Sequence, residues 1–257
     1  MLNLNNRPFV LEKPAISDRA CLLLHGLGGG AYEMQLLGEY LHQQGLDVQG
    51  INYPGHDQPA SKMPVSTWRQ WYDHALETYQ KLAQKYSSIS VIGFSTGCPL
   101  GLYLAANNPV QQLVLLSPFM AIKHEWYYLL RPEVYLFSII GQMLDNLPRL
   151  RLPIRDKVMR QVAEEVVFFK TFNLPSVKSA IELINLVKPL LPQINVPTLI
   201  IQSPRDTVVD PDGARFIYQQ LGSHTKKLYW LQESDHIILL DSEREDVFGQ
   251  IAAFLLS

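Results

Sequence analysis

The sequence predicts an α/β protein with a mostly parallel, doubly wound sheet, for three reasons. Short apolar runs alternate with longer helical patterns along most of the chain, which is typical of a parallel sheet with helices on both faces. Within these runs the apolar residues are continuous, as in "ACLLLHG" (residues 20–26), so the strands are expected to be buried on both faces. The chain has 257 residues, of which 47% are hydrophobic, and this is enough to bury a large core.

Strands and helices are predicted in a regular order along the chain. Gly45 is well placed to end the first helix, and Pro54-Gly55 marks a turn after the second strand. The predicted strands are residues 20–26, 47–56, 88–94, 112–118, 196–204 and 226–234. The predicted helices are residues 32–44, residues 68–86, a helix after Ser95 that runs through residue 106, and a last helix from near residue 241 to residue 256.

Residues 119–189 break this alternation. They are far more numerous than the roughly 12 residues of an ordinary crossover between strands. Their helical, aromatic-rich character predicts a helical cap inserted after the fourth recognisable strand, with residues 1–118 and 190–257 forming the core. A basic group in this cap is interpreted as a solvated face, with contact to phospholipid head groups as a minor alternative. Its members are Arg149, Arg151, Arg155, Lys157 and Arg160.

Composition excludes several classes of function. The formal net charge of -2 gives no electrostatic reason to expect nucleic acid or an acidic membrane surface as a partner. Cys21 and Cys98 lie outside any CxxC or metal-ligand spacing, so we interpret them as reduced core thiols and expect no metal. The N-terminus lacks the pattern of a signal peptide, and no apolar run reaches the roughly 18 residues of a membrane span. We therefore expect a cytoplasmic protein without integral membrane association.

The pentapeptide Gly93-Phe94-Ser95-Thr96-Gly97 joins the third predicted strand to an apolar helix. A G-x-S-x-G sequence in this context is typical of a nucleophile elbow, a tight turn in which the serine has a strained backbone. Gly93 and Gly97 are expected to lack side chains because the strand and the helix pass too closely for a Cβ atom. The helix N-terminus would favour negative charge that develops near Ser95. A Gly-Ser turn without function is the alternative.

A serine nucleophile needs a base, and the base needs a carboxylate that orients it. His236 opens a loop after the sixth strand, and Asp206 follows the fifth strand. Ligands bind at the carboxyl ends of strands in a doubly wound sheet, so Ser95, Asp206 and His236 are predicted to meet there. Asp210 resembles a helix N-cap instead, and Asp235 is a weaker candidate because it adjoins His236 in sequence. We expect turnover to rise with pH as His236 loses its proton near its ordinary pKa of about 6.5.

The segment "HGLGGG" (residues 25–30) follows the first predicted strand and is called the glycine loop below. Free backbone amides in such turns can stabilise an oxyanion, and the amides of Leu27 and Thr96 are our candidates. The overlapping "GLGGGA" also satisfies a dinucleotide-binding pattern, but that pattern requires an acidic residue at the end of the second strand. Asp47 begins that strand instead, so we favour an oxyanion site.

These motifs together resemble the α/β-hydrolase superfamily. The stretches "LLLHGLGGG", "GINYPGHD", "GFSTG", "VPTLIIQSPRDTVVDP" and "SDHIILLD" match its motifs in order. The small cap and the C-terminal stretch from Asp206 to Asp241 are similar to bacterial carboxylesterases of the monoacylglycerol-lipase-like group. The resemblance implies Ser95 as nucleophile, His236 as base, Asp206 as its orienter, and hydrolysis of short to medium acyl esters or monoglycerides without a cofactor. Apolar residues of the cap would then contact the acyl chain, or alternatively only pack the cap on the core. They are Trp126, Tyr127, Tyr128, Leu136 and Phe137.

Two other classes of function stay open at this point. The same three side chains serve an aminopeptidase or a carbon–carbon bond hydrolase of this fold, and an acidic pocket for a free amine would favour the aminopeptidase. A non-catalytic binding module on the same scaffold is a further alternative. Asp235 stands where similar enzymes often have glycine, so its charge either raises the pKa of His236 or points outward without effect.

Overall fold

A mostly parallel sheet forms the centre of the protein. The computed structural model describes residues 4–13, 18–124, 130, 132–138 and 144–257. Among these residues seven strands form one sheet in the order β1-β3-β2-β4-β5-β8-β9, with β1 antiparallel and the other pairs parallel. The strands are β1 (Phe9–Leu11), β2 (Arg19–Leu24), β3 (Asp47–Gly50), β4 (Ser88–Phe94), β5 (Gln112–Leu116), β8 (Thr198–Gln202) and β9 (Lys226–Trp230). The prediction of the fold class is confirmed.

Helices cover both faces of this sheet. Along β2, Leu22 and Leu24 belong to one apolar cluster, whereas Cys21 and Leu23 belong to the other, so the strand is buried on both sides as its continuous apolar sequence predicts. Helices α1 and α8 pack on one face, and α2, α3, α6 and α7 pack on the other. Their bounds are α1 (Tyr32–Gln43), α2 (Trp68–Lys85), α3 (Gly97–Asn107), α6 (Leu174–Val187), α7 (Asp212–Gln220) and α8 (Arg244–Leu256).

Two details differ from the sequence prediction. Strand β1 was not predicted, because three residues on a partly exposed edge are too few to show a period. Its Phe9 ring fills the space that a Cβ atom on Gly38 or Gly50 would occupy. The second predicted strand, residues 47–56, ends at Gly50, and the residues beyond it form the approach to the Pro54-Gly55 turn.

The region between β5 and β8 is mixed in structure. It contains α4 (Pro132–Phe137), α5 (Lys157–Val166), α6, a 3₁₀ helix (Lys188–Gln193) and an antiparallel pair, β6 (Asn146–Pro148) with β7 (Thr171–Asn173). The division into a core and a cap at residues 119 and 189 stays a prediction.

Helix α6 lies inside the predicted cap, yet it packs against α2 and α3. Ser176 Oγ accepts the Ser66 amide at 3.0 Å, and Ser179 Oγ accepts the Trp68 amide at 2.9 Å. These bonds bind α6 directly to the start of α2. Among the described residues no helix has both the length and the apolar character needed to cross a membrane.

Candidate active site

Ser95 occupies a sharp turn between β4 and α3 with a φ of 53°. This left-handed conformation is uncommon for a residue with a side chain and marks a strained position. A Cβ atom on Gly93 would lie 2.3 Å from the Gly97 carbonyl oxygen, and one on Gly97 would lie 2.1 Å from the Leu24 carbonyl oxygen. The steric reason predicted for both glycines is therefore confirmed, since no larger residue fits without moving backbone.

The three predicted side chains meet at the carboxyl ends of their strands. His236 Nε2 lies 2.9 Å from Ser95 Oγ, and His236 Nδ1 lies 2.8 Å from Asp206 Oδ2. Both are hydrogen-bond distances, and all three side chains are buried. The imidazole can thus accept the serine proton at Nε2 while its Nδ1–H donates to the carboxylate.

Asp206 is held in place by donors from its own loop and from the end of β8. Its Oδ1 accepts the amides of Val208 and Val209 at 2.8 and 2.9 Å, and its Oδ2 accepts Gln202 Nε2 at 3.1 Å. Burial favours the neutral acid, but the charge of His236, the hydrogen bond from its ring and the two amides outweigh burial and lower the pKa of Asp206. Asp206 is therefore ionised wherever His236 titrates.

The surroundings of His236 raise its pKa above the ordinary value. Burial acts in the opposite direction, but the charge of Asp206, its hydrogen bond, and the charges of Glu33 and Asp235 outweigh it. The expectation of titration near 6.5 is corrected upward for this reason. Asp235 does not point outward: it is buried, and its Oδ1 accepts Thr207 Oγ1 at 2.8 Å.

The backbone around His236 is fixed from two sides. Ser117, at the end of β5 with a φ of 45°, donates its hydroxyl to the His236 carbonyl oxygen at 2.9 Å. The buried carboxylate of Asp241 accepts the Asp235 amide at 2.8 Å and the amides of Arg155 and Asp156 at 3.0 and 2.9 Å. Asp241 therefore connects the histidine loop to the segment that leads into α5.

Side chains from several elements hold the glycine loop beside Ser95. The Gly26 amide donates to Glu33 Oε2 at 2.9 Å, and the Gly28 amide donates to His56 Nε2 at 2.9 Å. Within the described part of the chain, the Leu27 and Thr96 amides have no hydrogen-bond partner. Both residues line the cavity that contains Ser95, and the role of their amides in an oxyanion site stays a prediction.

A cavity of about 750 Å³ opens above Ser95 and His236. Leu136 lines it, whereas Phe137 does not and is 49% exposed. Trp126, Tyr127 and Tyr128 lie outside the described residues. The remaining apolar wall of this cavity comes mainly from Phe119, Ile122, Tyr135, Leu144, Leu147, Phe172, Val177 and Val208.

Two arginines of the predicted basic face also line this cavity, and the solvated interpretation is wrong for Arg149, which is half-buried. Arg149 donates from Nη2 to the Gly28 carbonyl oxygen at 2.8 Å and stacks 4.3 Å from the centre of the Phe172 ring. Arg151 is exposed but faces the same space. The position of Arg149 just after β6 brings it to the glycine loop, a placement that no local sequence pattern indicates. Arg155 and Lys157 are exposed, as expected.

Sequence reasoning missed three side chains of the site: Glu33, His56 and Ser117. Glu33 in a first helical turn is ordinarily explained by the helix dipole, and Ser117 follows a strand like many turn serines. His56 lies in "GINYPGHD", a stretch that was matched as a motif without a role. Burial lowers the pKa of His56 to about 4, so its ring is neutral and its Nε2 can accept the Gly28 amide.

The parallel sheet, the strained serine between β4 and α3 and the Ser95–His236–Asp206 geometry define an α/β-hydrolase. The protein is an enzyme of the serine hydrolase class. The family model described as serine aminopeptidase S33 (Hydrolase_4) matches residues 15–243, and the chain belongs to this family.

Curated relatives agree with the resemblance found in the sequence. The chain is 28% identical over 250 residues to a carboxylesterase of Bacillus subtilis (strain 168), covering 97% of this chain and 96% of the relative. It is also 28% identical over 249 residues to a thermostable monoacylglycerol lipase of Bacillus sp. (strain H-257), covering 96% and 93%. The assignment to the carboxylesterase and monoacylglycerol-lipase-like group is confirmed.

Solved structures support the fold. A structure from work on the metagenome-derived lipolytic enzymes LipS and LipT superposes with a TM-score of 0.86 at 23% identity and covers 98% of both chains. The monoacylglycerol lipase of Paleococcus ferrophilus superposes with a TM-score of 0.80 at 18% identity and covers 97% of both chains.

Proposed function

We propose that this enzyme hydrolyses carboxylic esters of short to medium acyl chains, monoglycerides among them, through an acyl-enzyme on Ser95. The single observation that carries the proposal is the continuous hydrogen-bonded line from Ser95 through His236 to Asp206 at the floor of an apolar cavity. The carboxylesterase and monoacylglycerol lipase relatives, which match nearly the whole chain, support the choice of ester substrates.

The first half of the reaction forms the acyl-enzyme. Ser95 Oγ attacks the ester carbonyl carbon while His236 Nε2 takes the hydroxyl proton, and the carbonyl electrons move to the oxygen. That oxyanion accepts hydrogen bonds from the Leu27 and Thr96 amides. The carbonyl then re-forms, the bond to the alkoxy oxygen breaks, and the alkoxy oxygen leaves as an alcohol with the proton from His236.

The second half repeats these steps with water. The water oxygen attacks the acyl carbon while His236 takes a proton from that water. The tetrahedral adduct then collapses, the bond between the acyl carbon and Ser95 Oγ breaks, and the acid is released. The proton returns to Ser95 Oγ. Asp206 stays ionised throughout and stabilises the positive charge on the imidazole.

An aminopeptidase is the second candidate, because one carboxylate, that of Glu33, lines the cavity. A free substrate amine would need this negative charge to dominate its surroundings. Glu33 already accepts the Gly26 amide, and the guanidinium groups of Arg149 and Arg151 line the same cavity. Their positive charges repel an ammonium group, so the cavity favours the ester substrate.

The test compares p-nitrophenyl esters of two to twelve acyl carbons with aminoacyl p-nitroanilides. We expect ester hydrolysis by the native enzyme and a fall in kcat of at least about 10⁴-fold in Ser95→Ala, because all covalent chemistry passes through that hydroxyl. Exposed Ser61→Ala is the matched control and is expected to keep full activity. Turnover should rise with pH through a value above 6.5, since His236 must be neutral to accept the proton.

Two results would contradict the proposal. Equal and negligible ester turnover in the native enzyme and Ser95→Ala would remove the serine mechanism and leave a binding module. Efficient cleavage of the anilides with negligible ester turnover would assign the site to peptide substrates.

A further inference from the structure

Glu33 is a buried carboxylate that takes no part in the proposed steps of ester hydrolysis. It lies in the first turn of α1, is 4% exposed and lines the cavity that contains Ser95. Burial raises the pKa of Glu33 to about 6, against the Gly26 hydrogen bond and the charge of Arg149, which lower it. Keeping a carboxylate in this position costs free energy, so a compensating role is expected.

The glycine loop is folded directly onto this carboxylate. Glu33 Oε2 accepts the Gly26 amide at 2.9 Å. A Cβ atom on Gly29 would lie 2.2 Å from the same oxygen, and one on Gly26 would lie 3.3 Å from it. A Cβ atom at either position would require the Glu33 carboxylate to shift, so the loop backbone and this carboxylate are packed directly against each other.

Hydrogen bonds on either side of Leu27 hold this part of the loop in place. Glu33 takes the Gly26 amide, His56 takes the Gly28 amide, and Arg149 donates to the Gly28 carbonyl oxygen at 2.8 Å. The amides on both sides of Leu27 are thus engaged by side chains. Among the described residues the Leu27 amide between them has no partner, and Leu27 lines the cavity.

We propose that Glu33 is a positioning residue for the oxyanion site: its carboxylate holds the Gly26 amide so that the Leu27 amide faces the oxygen of the tetrahedral adduct at Ser95. The inference deepens the proposed function and rests on it. In this role Glu33 acts through the Gly26 amide and takes no part in the proton transfer between Ser95 and His236. Its part is to fix a donor before the charge forms, which is when a hydrogen bond contributes most to catalysis.

Two effects of Glu33 can be separated by mutation, because it supplies both a hydrogen-bond acceptor and a negative charge. Glu33→Gln keeps an acceptor oxygen and removes the charge, whereas Glu33→Met has a similar volume and removes both. Met also relieves the burial of a charge, so the variant should fold even though the Gly26 amide loses its acceptor. Exposed Glu39→Gln, on the same helix, is the matched control.

We expect Glu33→Met to lower kcat about 10- to 100-fold with KM changed less than about threefold, since a donor displaced by roughly 1 Å costs rate rather than substrate binding. Affinity for a trifluoromethyl ketone, which forms a tetrahedral oxyanion adduct with the serine, should fall by the same factor. Glu33→Gln should recover most of this loss, to within about fivefold of the native rate.

The charge has its own readout in the pH profile. Glu33 interacts with Tyr32, Tyr53, Arg149 and His236, and His236 is in turn surrounded by Asp206, Asp235 and Glu33. Removing the negative charge in Glu33→Gln should therefore move the acid limb of kcat/KM to lower pH. A role of Glu33 confined to stability would leave the affinity for the ketone unchanged in Glu33→Met.

The rate at which an alkyl fluorophosphonate labels Ser95 distinguishes failure of this inference from failure of the proposed function. Labelling needs the oxyanion donors but no ester substrate, so it should also slow about 10-fold or more in Glu33→Met. If the native enzyme is labelled but hydrolyses no ester, the proposed function is contradicted and the inference about Glu33 is not. Glu33→Met with native kcat, ketone affinity and labelling rate would overturn the inference, as would native enzyme that the fluorophosphonate does not label.

Discussion

The nucleophile turn and the glycine loop lie side by side in the site but are held by different forces. The turn at Ser95 is set by backbone sterics. A Cβ atom on Gly93 or on Gly97 would lie only 2.3 or 2.1 Å from a backbone carbonyl oxygen. The glycine loop is set by side chains that reach it from elsewhere, chiefly Glu33 and His56. The turn should therefore be disrupted by added side-chain volume, whereas the glycine loop should be disrupted by changes in the charge of the side chains that hold it, and so by pH.

Gly97→Ala should have the largest effect, because it tests the steric half of this comparison. The new methyl group would lie 2.1 Å from the Leu24 carbonyl oxygen, and relief would require the first turn of α3 or the end of β2 to move. We expect the free energy of unfolding in urea to fall by about 4 kcal/mol or more.

Gly249→Ala is the matched control for Gly97→Ala. Gly249 lies in α8, and a Cβ atom there would meet nothing within 4 Å. This change should stabilise the protein by about 0.5–1 kcal/mol. Equal stability of the two variants would show that close approach at the turn is not what selects glycine.

Asp241→Ala should have the next largest effect, because one carboxylate binds the histidine loop through backbone amides. The Asp235, Arg155, Asp156 and Ser242 amides all lose their acceptor in this variant. We expect the free energy of unfolding to fall by about 3–5 kcal/mol. The measurement is urea unfolding beside Glu245→Ala, an exposed control that should change by less than about 1 kcal/mol. A loss as small as that of the control would mean that the loop is held by packing.

Acid should act on the glycine loop through His56. In the folded protein its pKa is about 4, below the value of 6.5 that it regains on unfolding, so the unfolded chain binds more protons between these values. The stability that the neutral ring provides is present above pH 6.5 and is lost as pH falls toward 4. The loss is roughly 3 kcal/mol.

His56→Gln isolates this effect, because glutamine keeps an acceptor for the Gly28 amide and does not titrate. The difference in unfolding free energy between the native protein and His56→Gln should shrink by roughly 3 kcal/mol from pH 7 to pH 4. Exposed His224→Gln is the control. Glu33, with a folded pKa of about 6 against an ordinary 4.5, acts with the opposite sign in both proteins and cancels in the difference. A difference that does not change with pH would place the acid sensitivity elsewhere.

Leu136→Ala and Phe137→Ala should have the smallest effects, and they compare cavity with surface inside α4. Leu136 lines the cavity, whereas Phe137 is 49% exposed. We expect Leu136→Ala to lower kcat/KM for an octanoate ester about 10-fold relative to the acetate ester, and Phe137→Ala to change that ratio less than about twofold. The reverse order would place the acyl chain against Phe137.

The fold and the meeting of Ser95, Asp206 and His236 could be predicted because both follow from rules of topology. Parallel strands bring their carboxyl ends to one edge, and each of the three residues follows a strand. The roles of Glu33, His56 and Arg149 could not be predicted, because they depend on which backbone amides and carbonyls face them in three dimensions. Strand β1 was missed for a different reason, since three edge residues have no detectable period.

Helix α6 defines where one part of this enzyme can be exchanged for another. Its serines are bonded to the backbone at the start of α2, and its apolar side joins the core, although its sequence position is within the insertion. A chimera that takes residues 119–173 from a relative would keep the hydrogen bonds between α6 and the start of α2. A graft that extends through residue 189 would replace α6 and with it these hydrogen bonds. The residues that cover the cavity before α6 can therefore be exchanged while the contacts between α6 and α2 are kept.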